Sequence, residues 1–222
     1  MNPIARRTIA ALTTALLVVC LVLLAPPAAF PYCFAVLFLL ASFECWQLVA
    51  RRVAPISLRG LAVLLPCLAV LALAFTALPL IAGRHGAVMM LYVIAIVKIS
   101  DMGGFAAGLS SAKLMKGGNH KLCPTISPNK SWEGLGGSVL GSCLLSLAFL
   151  PITHYCWPKA VAFGLVAALV GTAGDLVESK LKRWAGVKDS ATFMPAGLGG
   201  FLDMFDSLLF APAVMFALLQ IR

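Results

Sequence analysis

The chain carries little charge, and acidic residues are the scarcer kind. Only 11% of its 222 residues are Asp, Glu, Lys or Arg, and eight of them are acidic, whereas a soluble domain carries about 25% charged residues. Hydrophobic residues make up 61% of the chain, and several apolar runs reach the roughly 20 residues that cross the hydrocarbon of a bilayer. A soluble core of this size cannot absorb so much apolar surface. The composition therefore predicts an integral membrane protein.

Motifs of several other protein classes are also missing. The seven cysteines form no CxxC pair and lie mostly in apolar segments, which argues against a disulfide framework and against a zinc site. The nucleotide-binding pattern GxxxxGK[ST] is absent. The net charge of +9 is interleaved with apolar runs and does not form one basic domain, so nucleic acid is not an expected partner.

Apolar segments predict an all-α, polytopic membrane protein with about seven transmembrane helices. The segments are residues 8–25, 30–49, 60–82, 87–108, 134–153, 159–177 and 200–220. We divide the chain into N-terminal transmembrane helices, residues 1–85, and a second region, 86–222, that carries the candidate catalytic residues. Loops 109–133 and 178–199 of this second region hold the motifs. Further spans follow the first apolar run at once, so we expect a retained helix rather than a cleaved signal peptide.

Basic residues predict the orientation of these spans. Thirteen of the 17 Lys and Arg residues fall before the first span or in the second, fourth and sixth loops. Cytoplasmic loops carry such an excess of positive charge. We therefore expect a multi-pass protein of the cell inner or plasma membrane, with its N-terminus and both motif-bearing loops in the cytoplasm. An odd number of spans places the C-terminus on the opposite side.

Acidic residues gather at the cytoplasmic ends of the predicted spans. Seven of the eight lie between positions 101 and 206, and carboxylates at membrane depth are costly enough to indicate a partner or a function. Asp203 and Asp206 are spaced i,i+3 and so share a face of a continuous helix; Asp175 closes the preceding span. Converging carboxylates suit a hard divalent cation such as Mg²⁺. For Asp101, an ion pair with Lys98 is the alternative, and Glu44 has no evident partner beyond a helix-packing hydrogen bond.

The fourth loop has the composition of a polyphosphate-binding segment. Its lysines, hydroxyl groups and glycines allow backbone N–H groups to approach an anion. Residues 127–134, SPNKSWEG, also predict the start of a helix with a hydroxyl N-cap. The N-terminus of such a helix attracts phosphate through its dipole, although a merely solvated basic loop has a similar composition.

Three blocks of sequence, in order, carry a more specific pattern. Residues 101–108 are DMGGFAAG, and residues 127–134 are SPNKSWEG. Residues 174–189 begin with Gly174-Asp175 and then place Ser, Lys-Arg and Lys-Asp at the spacing S-x-x-K-R-x4-K-D. With residues 195–200 and 203–206 they resemble the signature of phosphatidate cytidylyltransferases, the CDP-diacylglycerol synthases. That signature contains DTGAYxxG, SPxKTxEG, S-x-x-K-R-x4-K-D, P-G-H-G-G and D-R-x-D. The resemblance covers about residues 98–210.

The resemblance implies a reaction, cofactors and partners. CTP and phosphatidate would give CDP-diacylglycerol and pyrophosphate in phospholipid biosynthesis, with Mg²⁺ and a second, monovalent cation such as K⁺. The implied partners are CTP, phosphatidate, membrane lipids and a second copy of the chain in a homodimer. The residues assigned to catalysis are Asp175, Asp203, Lys182, Arg183, Lys188 and Asp189. Those assigned to substrate binding are Ser127, Asn129, Lys130, Ser131, Glu133, Ser179, Gly199 and Gly200, and those assigned to the metal are Asp175, Asp203, Asp206 and Asp101.

Two departures from the signature leave alternatives open. Leu198 stands in place of the histidine of P-G-H-G-G, in a turn that is one residue longer, and Met204 stands in place of the arginine of D-R-x-D. Loss of one Arg–phosphate contact costs about 1.5–3 kcal/mol, so either substrate recognition is altered or activity is reduced. The alternatives are a CTP-dependent kinase of a lipid alcohol and a catalytically impaired membrane scaffold.

Overall fold

The computed structural model describes residues 24, 26–188, 190 and 200–220, and these form a bundle of long helices. The α-helices are α1 (Phe30–Ala50), α2 (Leu58–His85), α3 (Ala87–Leu114), α4 (Trp132–Ala148), α5 (Leu150–Thr153), α6 (Trp157–Trp184), α7 (Phe201–Phe205) and α8 (Ala211–Leu219). Short 3-10 turns cover Pro27–Ala29 and Asp206–Leu208. An antiparallel hairpin, β1 (Lys121–Cys123) and β2 (Ser127–Ser131), joins α3 to α4.

The predicted all-α, multi-pass architecture is confirmed. Within the described residues, five helical stretches are long and apolar enough to cross a membrane: α1, α2, α3, α6 and Phe201–Leu219. The predicted span 134–153 corresponds to α4 and α5, and α4 has only 17 residues. The predicted first span, 8–25, lies almost entirely outside the described residues, so the number seven itself is not confirmed.

Helix ends differ from the predicted span ends in a consistent way. We expected spans to end at residues 108 and 177, but α3 continues to Leu114 and α6 continues to Trp184. Hydropathy marks where a segment leaves the hydrocarbon, whereas the helix continues as long as its residues favour it, and Lys and Glu are good helix formers. The loop predicted at 109–133 is thus partly helix and partly hairpin.

The last predicted span, 200–220, is not one continuous helix. Helix α7 ends at Phe205, a 3-10 turn follows at Asp206–Leu208, and α8 begins at Ala211. Within the turn, the Asp206 carboxylate accepts a hydrogen bond from the Ser207 N–H at 2.6 Å. Such local side-chain bonds compete with the helix ladder. This break decides where the two aspartates, Asp203 and Asp206, point.

Glycines allow α3 and α4 to pack in direct backbone contact. A Cβ atom added at Gly137 would lie 2.3 Å from the Ala107 Cβ and 2.6 Å from the Gly103 carbonyl oxygen. One added at Gly104 would lie 2.3 Å from the Ser138 hydroxyl oxygen. Small residues at this spacing bring membrane helices close together. The glycines at 103–108 and 134–141 therefore build one wall of the region described next.

Polar side chains hold α4 against its other neighbours. Ser142 donates to the Gly164 carbonyl at 2.8 Å, and Ser146 donates to the Ala160 carbonyl at 2.6 Å. The Tyr92 hydroxyl lies 2.7 Å from the Ser146 hydroxyl. Interhelical hydrogen bonds of this kind contribute about 0.6 kcal/mol each on average in membrane bundles. They tie α3, α4 and α6 into a single frame around the site.

Candidate active site

A cavity of about 200 Å³ opens between α3, α4 and α6, beside the hairpin. Its polar lining comes from these elements and from the 3-10 turn at Asp206–Leu208: Ser100, Asp101, Ser127, Asn129, Lys130, Ser131, Ser138, Thr172, Asp175 and Ser207. Six of these ten residues belong to segments 101–108 and 127–134 or to the acidic end of α6, as the sequence predicts. The cavity therefore brings together blocks that are up to 74 positions apart between Asp101 and Asp175.

Asp175 lines this cavity. It is only 7% exposed. Its Oδ2 atom pairs with the Lys130 ammonium group, and its Oδ1 atom is buried and has no hydrogen-bond partner among the described residues. A buried carboxylate oxygen without a partner is costly. Asp175 thus has one oxygen committed to a lysine and one oxygen available for a cation.

The Asp206 backbone packs next to Asp175 because residue 174 is a glycine. A Cβ atom at Gly174 would lie 2.5 Å from the Asp206 carbonyl oxygen, which is closer than any ordinary C···O contact. The Asp206 backbone therefore packs directly against α6. Asp101 and Asp175 both line the cavity, and the Asp206 backbone lies against the residue before Asp175, so the structure brings these three predicted metal ligands into one region.

Lys98 contacts the cavity lining through Ser207, and the sequence analysis did not select it. It lies within the apolar run of α3 and donates to the Met204 carbonyl at 2.8 Å and to the Ser207 hydroxyl at 3.0 Å. Its positive charge also acts on Asp206. Among the described residues it forms no salt bridge with Asp101, so the i,i+3 ion pair considered above is not formed. The presence of a lysine inside an apolar span is the sequence feature that could have identified it as functional.

A second charged cluster lies further along α6. The Lys182 ammonium group bridges Glu178 at 2.6 Å and Asp203 at 2.5 Å. The other Asp203 oxygen accepts the backbone N–H groups of Ser190 at 3.1 Å and Gly200 at 2.5 Å. Both oxygens of Asp203 are therefore engaged within the protein, and its side chain braces the start of α7.

The break after Phe205 separates the two aspartates that the sequence analysis placed on one helical face. Asp203 joins the Lys182 cluster, whereas the Asp206 backbone lies against Gly174, the residue before Asp175. Within the described part of the chain, no three His, Cys, Asp or Glu side chains are arranged as a ready-made metal cage. The assignment of Asp175 and Asp203 to one shared metal stays a prediction, and the geometry favours Asp206 as the neighbour of Asp175.

The last residue of the hairpin caps the helix that the sequence predicts to start there. Ser131 is the N-cap of α4, and its hydroxyl accepts the Gly134 N–H at 3.0 Å, which confirms the predicted hydroxyl cap. The Trp132 N–H donates to the His120 carbonyl at 3.0 Å. Glu133 turns away from the cavity lining and accepts hydrogen bonds from the His120 ring and backbone.

Other predicted site residues lie outside the cavity lining. Ser179 is half-buried on α6, while Arg183 and Lys188 are exposed near the end of that helix. Gly200 precedes α7 and has no room for a side chain, because a Cβ atom there would lie 1.9 Å from the Ser190 hydroxyl oxygen. Asp189 and Gly199 lie outside the described residues, as does Leu198.

Known proteins share this sequence pattern. The whole chain, residues 1–222, matches the model of a family described as the cytidylyltransferase family. A phosphatidate cytidylyltransferase of Staphylococcus aureus (strain COL) is 42% identical over 134 residues, which are 59% of this chain and 49% of the relative. One of Staphylococcus epidermidis is 41% identical over 135 residues, again 59% of this chain and 49% of the relative.

A third relative has no assigned activity. The uncharacterized protein YnbB of Escherichia coli (strain K12) is 37% identical over 134 residues, which are 60% of this chain and 43% of the relative. The matched region thus spans about half the length of each of these curated relatives. The resemblance drawn from the motifs is confirmed by the family match. The chain is an integral membrane protein that belongs to the cytidylyltransferase family.

Proposed function

We propose that this chain transfers the cytidylyl group of CTP to phosphatidate, which leaves CDP-diacylglycerol in the membrane and releases pyrophosphate. One observation carries the proposal: Lys130 and Asp175 pair in a cavity, and two of its walls, α3 and α6, are helices long enough to span a bilayer. Such a position suits a soluble nucleotide and a lipid phosphate that stays in the membrane. The names of the staphylococcal relatives, which are 41–42% identical, support the same reaction.

Side chains rather than helix-end amides would bind the CTP phosphates. The N–H groups of Trp132 and Gly134 in the first turn of α4 already donate within the protein. The α4 N-terminus therefore contributes mainly its dipole, which favours an anion near the first turn. Lys130 and Asn129 line the cavity beside it and supply direct donors. A charged hydrogen bond from Lys130 is worth about 1.5–3 kcal/mol.

The residues around Asp175 fit a divalent metal ion. Members of the family generally use one, and we propose Mg²⁺. The fit rests on the buried Oδ1 atom of Asp175, which has no hydrogen-bond partner in the part of the chain that the structure describes. Asp101 lines the same cavity, and the Asp206 backbone lies against Gly174. Mg²⁺ is commonly held by one or two carboxylates together with substrate phosphates, not by an all-protein cage. Asp175 and Asp206 would hold the ion, and Asp101 would support them. The bound ion would neutralise charge on the triphosphate.

The reaction requires the protein to position the substrates and to stabilise charge, and it does not require a strong base. A phosphatidate oxygen, already ionised, forms a bond to the α-phosphorus of CTP, and the bond from that phosphorus to the β-phosphate oxygen breaks. The electron pair leaves with pyrophosphate. Reactions of this type depend on in-line placement and stabilisation of developing charge. Lys130 would hold the triphosphate, and a histidine at position 198 is not required for this step.

We also propose an orientation for the site. The C-terminal ends of α1, α3 and α6 and the N-terminal end of α4 belong to one side of the bundle, because α1 contacts α7, α6 contacts β2, and the hairpin joins α3 to α4. This side carries most of the basic loop residues, so the positive-inside rule places it in the cytoplasm. A homodimer and a monovalent cation such as K⁺ remain expectations from the family resemblance.

The proposed reaction is tested by following the α- and γ-phosphates of CTP separately. The purified chain is reconstituted in vesicles that contain phosphatidate and is supplied with Mg²⁺ and CTP labelled at the α- or the γ-phosphate. We expect the α-label in a CDP-lipid, the γ-label in pyrophosphate, and neither product when EDTA removes the metal. Transfer of the γ-label to an added lipid alcohol would support the kinase instead. No transfer of either label would contradict both enzymatic hypotheses.

A further inference from the structure

Glu44 is a buried carboxylate that the proposed reaction does not use. It lies on α1 and is 1% exposed. Its Oε1 atom accepts the Phe201 N–H at 2.8 Å, and its Oε2 atom accepts the Leu202 N–H at 2.7 Å and the Ser190 hydroxyl at 3.2 Å. A carboxylate within an apolar membrane helix is costly unless it is partnered. Both Glu44 oxygens are satisfied by donors at least 146 positions away along the chain.

The backbone donors belong to the first turn of α7. The first N–H groups of any helix have no partner inside that helix, and here two of them are taken by α1. Asp203 acts from within α7 by accepting the Gly200 N–H at 2.5 Å. The start of α7 is thus held by two carboxylates, one from α1 and one of its own.

The contact between α1 and α7 is closely fitted. A Cβ atom at Gly200 would lie 2.8 Å from the Glu44 Oε2 atom, so this position has no space for a larger residue. Asp206 follows α7 directly, and its backbone lies against Gly174, the residue before Asp175. Any shift of α7 along α1 would therefore move Asp206 as well.

We propose that Glu44 is a positioning residue for the cavity. By fixing α7 against α1 it sets the placement of Asp206 relative to Asp175, although it touches neither. The kinetic part of this inference rests on the proposed function, whereas the structural part does not. Ser42 offers a matched control on the same helix, because its hydroxyl is buried and has no hydrogen-bond partner among the described residues.

Hydrogen exchange tests the structural part without any activity assay. Wild type, Glu44→Gln, Glu44→Ala and Ser42→Ala are compared in the full-length chain in lipid nanodiscs, and the peptide that covers residues 201–206 is followed. We expect at least tenfold faster exchange of its amides in Glu44→Ala and an intermediate effect in Glu44→Gln, which keeps one acceptor oxygen. Ser42→Ala should match wild type. Equal exchange in all four proteins would overturn the inference.

Steady-state kinetics test the positioning role. We expect Glu44→Ala to lower kcat at least tenfold and to raise the Mg²⁺ concentration for half-maximal rate at least threefold, while KM for phosphatidate stays within twofold. A purely structural role would reduce the amount of folded enzyme and leave the Mg²⁺ dependence unchanged, which would refute positioning. If Glu44→Ala does not fold, Glu44→Gln is expected to show the same changes to a smaller extent.

The two proposals fail in different ways. If wild type forms no CDP-lipid but Glu44→Ala still accelerates exchange in residues 201–206, the proposed function is wrong and the hold of Glu44 on α7 stands. If wild type is active and Glu44→Ala keeps both its kcat and its Mg²⁺ dependence, Glu44 does not position the site.

Discussion

A single methyl group at position 174 should uncouple Asp206 from Asp175. The Gly174→Ala variant adds a Cβ atom 2.5 Å from the Asp206 carbonyl oxygen. Carbon and oxygen atoms in close contact are normally about 3.3 Å apart or more, so the Asp206 backbone must retreat by about 0.8 Å. The atom in the way is backbone, which cannot swing aside as a flexible side chain would.

The expected size of the effect follows from this displacement. Misplacement of a reacting group by about 1 Å can lower a rate by roughly 100-fold, and we expect a loss of this order in kcat. Overpacking costs about 1–3 kcal/mol of stability, while replacing glycine by alanine within a helix gains about 1 kcal/mol. The net loss in the free energy of unfolding should therefore be about 0–2 kcal/mol, whereas a 100-fold loss in rate corresponds to about 2.7 kcal/mol of activation free energy.

The assay compares CDP-lipid formation and thermal unfolding for wild type, Gly174→Ala and Gly136→Ala. Gly136 is the matched control, because a Cβ atom on this helical glycine of α4 meets no atom within 4 Å. Gly136→Ala should keep wild-type kcat and equal or higher stability. If Gly174→Ala turned over at the wild-type rate, the close approach of Asp206 to Asp175 would have no part in catalysis.

Three further changes test other parts of the site. Lys130→Met should raise KM for CTP at least tenfold in steady-state kinetics, because it removes a charged phosphate donor worth about 1.5–3 kcal/mol. The control is Lys113→Met, at an exposed lysine, which should not change KM. Gly137→Ala should lower the free energy of unfolding by about 1–3 kcal/mol in denaturant titrations, because its Cβ atom would lie 2.3 Å from the Ala107 Cβ on α3. Gly136→Ala should not lower this free energy. Lys98→Met should lower kcat about tenfold with KM for CTP nearly constant, and an unchanged kcat would mean that its contacts to residues 204 and 207 are only structural.

Local features of the fold could be predicted from the sequence. The hydroxyl cap at Ser131 depends on the residues that immediately follow it, and the spans depend on long apolar runs. Helix ends could not be placed from hydropathy, because α3 and α6 continue for six and seven residues beyond their apolar runs. A span ends at the edge of the hydrocarbon, but a helix ends where its own residues stop favouring it.

Tertiary contacts explain what the sequence analysis missed at the site. The i,i+3 spacing of Asp203 and Asp206 predicts a shared face only if the helix is continuous, and it ends at Phe205. The closeness of Asp206 to Asp175 depends on Gly174, and the role of Glu44 depends on amides 157 and 158 positions later. Such contacts arise from packing, and no local pattern encodes them. Asp175 and Lys130, by contrast, belong to recognisable motifs, and they do meet.

The most direct test of the central claim is the transfer of α-labelled CTP to phosphatidate by wild type and by Asp175→Asn, assayed side by side in vesicles with Mg²⁺. Asparagine keeps the size of the side chain but removes the charge, and loss of one preorganised electrostatic group lowers kcat by roughly 100- to 1,000-fold. We expect labelled CDP-lipid from wild type, and from the folded variant at most about one per cent of that rate. No CDP-lipid from wild type, or an equal rate from the variant, would contradict a cytidylyltransferase site centred on Asp175.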